Sequence, residues 1–142
     1  MPANNSPIYS RVPDIQWITK VSTANINQDL TNGTVYTAYT ADATNGGYVS
    51  RAVVKSEPAN NTAATVVRFW INNGSTVSTA ANSALIGELG LPATVSSLTA
   101  PQPDFVYPLG FAMPAGYKIC ATIGTAPPTN GAFTITVFGG KY

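Results

Sequence analysis

Histidine is absent from the 142 residues, and there is a single cysteine, Cys120. The first absence removes Ser-His-Asp and Cys-His nucleophilic catalysis, and with them the commonest transition-metal ligand. The second removes any intrachain disulfide and leaves too few ligands for a zinc centre. Charge is scarce too: 9% of the residues are charged, against about 25% in an average globular protein. The seven cations, Arg11, Lys20, Arg51, Lys55, Arg68, Lys118 and Lys141, are scattered and the net charge is +1. The concentrated basic stripe of a nucleic-acid-binding protein is therefore missing. No run approaches the ~18 apolar residues of a membrane-spanning helix. The polar, proline-rich stretch from Met1 to Pro13 lacks the apolar core of a secretion signal. A soluble protein made in the cytoplasm is expected, with no cofactor, metal, nucleic acid or membrane among its partners.

Six acids remain, Asp14, Asp29, Asp42, Glu57, Glu88 and Asp104. A glycosidase needs two carboxylates about 5–10 Å apart, and no spacing here pairs them. Asp14, Asp42 and Asp104 fall at strand ends or in loops, where Asp makes local turn hydrogen bonds. No Asp-x-Asp pattern announces a calcium loop. Cys120 lacks a histidine partner and reads as a small packing residue. Gly46-Gly47 and Gly139-Gly140 open no helix and match no phosphate loop. Four Asn-x-Ser/Thr matches, at Asn4, Asn32, Asn60 and Asn73, are what chance supplies in a chain with 12 Asn and 18 Thr. The expectation is a protein that is not an enzyme.

What the chain does have is a hydrophobic period of two. Val67, Phe69 and Ile71 alternate with Val66, Arg68 and Trp70. Tyr117, Ile119, Ala121 and Ile123 alternate with Lys118, Cys120 and Thr122; Phe133, Ile135 and Val137 alternate with Thr134 and Thr136. Successive side chains of a strand point to opposite faces, so each run buries one face. Asn-Gly occurs at residues 32–33, 45–46, 73–74 and 130–131, and both residues tolerate the positive φ of tight turns. Met113-Pro114-Ala115-Gly116 adds a type I turn signal. Eight strands follow, over about residues 15–20, 34–41, 48–57, 64–72, 84–91, 104–111, 116–124 and 132–139. Ala84, Leu85, Glu88 and Leu89 also fit a helix, but Gly87 and Gly90 oppose one. Pro108 has no N–H to donate, which assigns the sixth strand to an edge or a bulge. The fold class is all-β: a single-domain antiparallel β-sandwich, best matched by an eight-stranded jelly roll, over residues 14–142. Residues 1–13 form an extended N-terminal arm, with Pro2, Pro7 and Pro13 keeping it open.

The aromatics Trp17, Tyr36, Tyr39, Tyr48, Trp70 and Tyr107 admit two readings, a sugar-stacking platform or core and subunit contacts. Trp70 faces away from Phe69 and Ile71. One side of that strand is then the less buried, unless another subunit covers both.

The phrases Arg68-Phe69-Trp70-Ile71-Asn72-Asn73-Gly74-Ser75, Ala81-Asn82-Ser83-Ala84-Leu85-Ile86-Gly87-Glu88 and Leu91-Pro92-Ala93-Thr94 carry a resemblance. So do Tyr107-Pro108-Leu109, Met113-Pro114-Ala115-Gly116-Tyr117-Lys118-Ile119 and Gly139-Gly140-Lys141-Tyr142. Together, over residues 50–142, they resemble small virion structural proteins of tailed bacteriophages, of the capsid decoration (cement) type. The resemblance implies a β-rich, often trimeric protein on the outer surface of the capsid, with the major capsid protein as partner. It brings no functional residues with it. An extended arm can add as a strand to a partner's sheet edge, and Ile8, Tyr9 and Arg11 are the candidate partner-binding anchors; a loose solvated tail is the competing reading. A receptor- or glycan-binding module of a phage tail fibre or tail tip is the alternative function.

Overall fold

Alternating apolar residues make strands here because each strand buries one row of side chains and leaves the other outside. The computed structural model describes residues 10, 12–31, 33–58 and 60–142. Its strands are β1 (Val12–Val21), β2 (Tyr36–Thr40), β3 (Gly47–Ser56), β4 (Thr65–Asn72), β5 (Ser83–Leu91), β6 (Asp104–Met113), β7 (Lys118–Ile123) and β8 (Phe133–Lys141). A single 3-10 turn at Ala80–Asn82 precedes β5, and no α-helix occurs among the described residues. The ambiguous segment around Ser83–Leu91 is thus a strand.

Two four-stranded antiparallel sheets form, in the orders β1-β8-β3-β6 and β2-β7-β4-β5. The first strand pairs with the eighth, the second with the seventh, the third with the sixth and the fourth with the fifth. The described residues thus form the single-domain antiparallel β-sandwich that the alternation led one to expect. β6 is an edge strand, as Pro108 demands, and Pro108 sits where the β3–β6 register shifts, opposite Arg51. The facing rows make one core: Val49, Ala52, Val54, Phe133, Ile135 and Val137 from the first sheet meet Val67, Phe69, Ile119, Ala121 and Ile123 from the second.

Both open sides of the sandwich are closed by side chains that reach a backbone carbonyl. On one side Gln16 of β1 acts like a strand residue towards β2: its Nε2 donates to Thr40 O at 2.8 Å, and its Oε1 accepts from Thr40 N at 2.9 Å. On the other, Tyr107 of β6 stacks on Phe69 (ring centroids 5.0 Å apart, planes at 22°) and donates to Ile86 O of β5 at 2.9 Å. Gly87 makes this possible, since a Cβ there would lie 1.6 Å from the Tyr107 hydroxyl oxygen. Gly46, with φ +75°, closes the β2–β3 turn at the second Asn-Gly pair; its missing Cβ would meet Met113 O at 2.3 Å.

Candidate protein-contact surface

The outer faces of the two sheets are treated differently. On the β2-β7-β4-β5 sheet, Thr37, Cys120, Trp70 and Leu85 form one cross-strand row. The segment between β1 and β2 folds over it. Leu30, fully buried, packs on Trp70 and Cys120, with Val35 and Val77 at the margins. Trp70 Nε1 donates to Thr122 Oγ1 at 3.2 Å inside this cover. Both sides of β4 are therefore buried, and the chain's own loop, not a neighbouring subunit, does the covering. Sequence periodicity does not reveal this, because Leu30 is an isolated apolar residue in a polar stretch. The loop reaches its position through positive φ at Gln28 (61°) and Leu30 (67°), a conformation uncommon for non-glycine residues.

On the β1-β8-β3-β6 sheet no segment of the described chain plays that part. Two cross-strand rows lie on its outer face: Trp17–Thr136–Val53–Val106 and Ile15–Phe138–Arg51–Pro108. Trp17 is 65% exposed, Val106 51% and Ile15 49%. The Arg51 guanidinium lies 4.5 Å from the centroid of the Phe138 ring. A contiguous apolar patch that stays open to water marks an interaction site.

The candidate stacking aromatics separate accordingly. Tyr39 and Trp70 are buried. Tyr107 is half-buried on Phe69, and Tyr36 is half-buried, its hydroxyl oxygen accepting from Ser22 N at 3.1 Å and Thr23 N at 3.0 Å. Trp17 and Tyr48 remain exposed. Trp17 pairs across β8 at Thr136 and Tyr48 at Gly140, which sets them two strands and roughly 13 Å of strand length apart. They do not form one stacking platform.

The carboxylates are each occupied. Lys20 pairs with Glu57, Lys55 with Asp104, and Arg68 Nε with Glu88 at 2.7 Å. Asp104 is thus held across β3–β6 and not by the local turn its position led one to expect. Asp14 accepts from Gln16 Nε2 at 2.9 Å. Asp42 accepts from Thr44 N and Asn45 N, and Asp29 from Thr31 N and Oγ1. Those hydrogen bonds hold the carboxyls of Asp42 and Asp29 below their ordinary pKa. At Glu57, burial acts to raise the pKa, but the side-chain and backbone donors of Lys20 and its charge outweigh it, and the pKa falls. Burial pushes the Cys120 thiol up, with Thr37 Oγ1 3.9 Å away, so it stays protonated and packs as a small apolar group. Burial and the charges of Asp14 and Asp42 likewise keep the Tyr39 hydroxyl protonated. No group of three or more Cys, Asp or Glu that could hold a metal ion occurs among the described residues, and no helix is long and apolar enough to cross a membrane.

Of the anchor candidates, Ile8, Tyr9 and Arg11 all lie outside the described residues. Ser10 is placed: a Cβ on Gly140 would lie 2.5 Å from its Cβ and Oγ, so it rests directly on β8 beside the start of β1. Concave features among the described residues include open hollows of about 550 Å³ beside Lys20, Asn60 and Pro128 and about 600 Å³ beside Thr65, Arg68 and Pro92, and a smaller apolar groove of about 280 Å³ between Ser56, Pro58, Ser97, Leu98 and Pro101.

No family model matches the sequence, and no curated protein matches it. Among solved structures, a chain of the "Cyanophage Pam1 capsid asymmetric unit" aligns over the full length of both chains with 16% identity and a TM-score of 0.43. No residue role or activity is carried across from it.

Proposed function

We propose that this chain is a non-enzymatic structural protein of a tailed-phage virion, a decoration (cement) protein that binds the outer surface of the head and stabilises it through the major capsid protein. The observation that carries the reading is the contrast between the two outer faces. One is sealed by the chain's own loop over Trp70 and Cys120, while the other keeps Trp17, Ile15 and Val106 open. A stiff body whose open surface is flat and apolar is built to contact protein, not to enclose a small molecule. The phage resemblance of residues 50–142 supplies the setting. The arm, which ends before β1 begins at Val12 and not at Pro13 as expected, carries Ile8, Tyr9 and Arg11 and is the grip on the capsid lattice, pairing with a strand edge of a neighbour.

Adding the purified chain to phage heads that lack it tests the reading. Saturable co-sedimentation with heads, and greater resistance of the heads to heat, are expected. Deleting residues 1–10, which leaves β1 intact, removes binding if the arm is the grip; unchanged binding rejects that role. Specific sugar binding on a glycan array without head binding would move the chain to the tail-module alternative.

A further inference from the structure

We infer that the outer face of the β1-β8-β3-β6 sheet is a self-association surface, and that its occupant is the same face of a second copy, related by a two-fold axis running along the strands. The inference concerns this chain alone and does not depend on the virion role.

The cross-strand rows carry the inference. Along the sheet the order is β1-β8-β3-β6, so a two-fold axis parallel to the strands, between β8 and β3, sets β1 over β6 of the second copy and β8 over its β3. Levels along the strands are kept. Trp17 then stands over Val106 of the second copy, and Ile15 over Pro108 of the second copy, because each pair shares one row. In the same row Arg51 comes over Phe138 of the second copy, repeating between copies the cation–π contact it already makes at 4.5 Å within its own chain. The face is thus self-complementary: the large Trp17 of β1 meets the smaller Val106 of β6, Thr136 meets Val53, and the central cation Arg51 meets the Phe138 ring, not a second cation. An isologous contact needs this property, residue i touching j while j touches i. A two-fold axis perpendicular to the strands would instead set Trp17 near Trp17 and Arg51 near Arg51.

Size is adequate. Four strands at ~4.8 Å spacing and about seven residues at ~3.4 Å give roughly 450 Å² in plan on each copy. Corrugation by Trp17 and Phe138 brings the pair to about the 1,000 Å² at which specific interfaces begin. Sheets pack face to face with strand directions within about 30° of each other, which a two-fold axis along the strands accommodates. The trimer implied by the sequence resemblance is a different arrangement, since a three-fold axis cannot place one flat face against its own copy.

The full chain is measured by analytical ultracentrifugation over a range of concentrations, beside Trp17→Asp, Val106→Asp and, as a control in the exposed part of the β1–β2 segment that covers the other sheet, Ile26→Asp. A concentration-dependent dimer is expected, weakened at least tenfold by each of the first two substitutions and unchanged by the third, with circular dichroism showing all four folded. Cross-linking gives an arm that needs no loss of binding. Mixed Trp17→Cys and Val106→Cys chains should be joined by a thiol-reactive bifunctional cross-linker of about 10 Å span, the distance between facing sheets, while neither is joined alone, because β1 of one copy lies a further three strand spacings, about 14 Å, to the side of β1 of the other. A monomer at every concentration overturns the inference. So does a trimer, a dimer indifferent to both substitutions, or a Trp17→Cys homodimer. If the chain is monomeric and Trp17→Asp abolishes head binding, the occupant is the capsid protein instead.

Discussion

Gly87 shows how one absent side chain fixes a contact between sheets. The Tyr107 ring lies where its Cβ would be, stacked on Phe69 and hydrogen-bonded to Ile86 O. Gly87→Ala forces that ring to move, and a loss of about 1–3 kcal/mol in urea unfolding is expected, the usual cost of overpacking; an unchanged midpoint would show that Tyr107 is not held there. Glu57 offers a second test. Its folded pKa is lowered by Lys20, so the pair stabilises the fold fully above the unfolded carboxyl pKa of ~4.3 and the effect is lost as pH falls through the folded value. Glu57→Gln should therefore cost about 1 kcal/mol at neutral pH. The difference from wild type should shrink as pH falls through the lowered folded pKa of Glu57, below which both side chains are neutral. A gap that persists at low pH would place the effect in packing.

At the scale of elements, the loop between β1 and β2 acts as a lid fixed by Leu30. Removing three carbons from a fully buried site leaves a cavity, and Leu30→Ala is expected to cost about 2–4 kcal/mol. The emission of Trp70 should shift to longer wavelength as water reaches it. If stability and emission both stay as they were, the loop does not seal that face. All eight strands were legible in the sequence, since period-two runs bounded by Asn-Gly declare themselves locally. Pro108 declared an edge because a missing N–H cannot serve a central strand. The sealing of the second sheet was not legible: Trp70 and Cys120 announce a face opposite the core, but nothing periodic marks Leu30 as what covers it. The open face was half legible. Ile15 and Trp17 alternate visibly, yet their alignment with Phe138, Arg51 and Val106 arises only when distant strands pair. Cation–acid pairs such as Lys55–Asp104, 49 residues apart, are hidden from sequence for the same reason.

The whole molecule is a sandwich whose strands nest from the outside in, β1 with β8 through to β4 with β5. Each pairing but the innermost joins distant parts of the chain. Its sides are closed by Gln16 and Tyr107, one outer face is closed by its own loop, and among the described residues the other sheet face stays open. The copy number of this chain in purified particles, quantified against the major capsid protein, tests the virion role most directly. Hundreds of copies per particle are expected of a protein that decorates the head; none, or a few to a few tens as for a tail component, would contradict it.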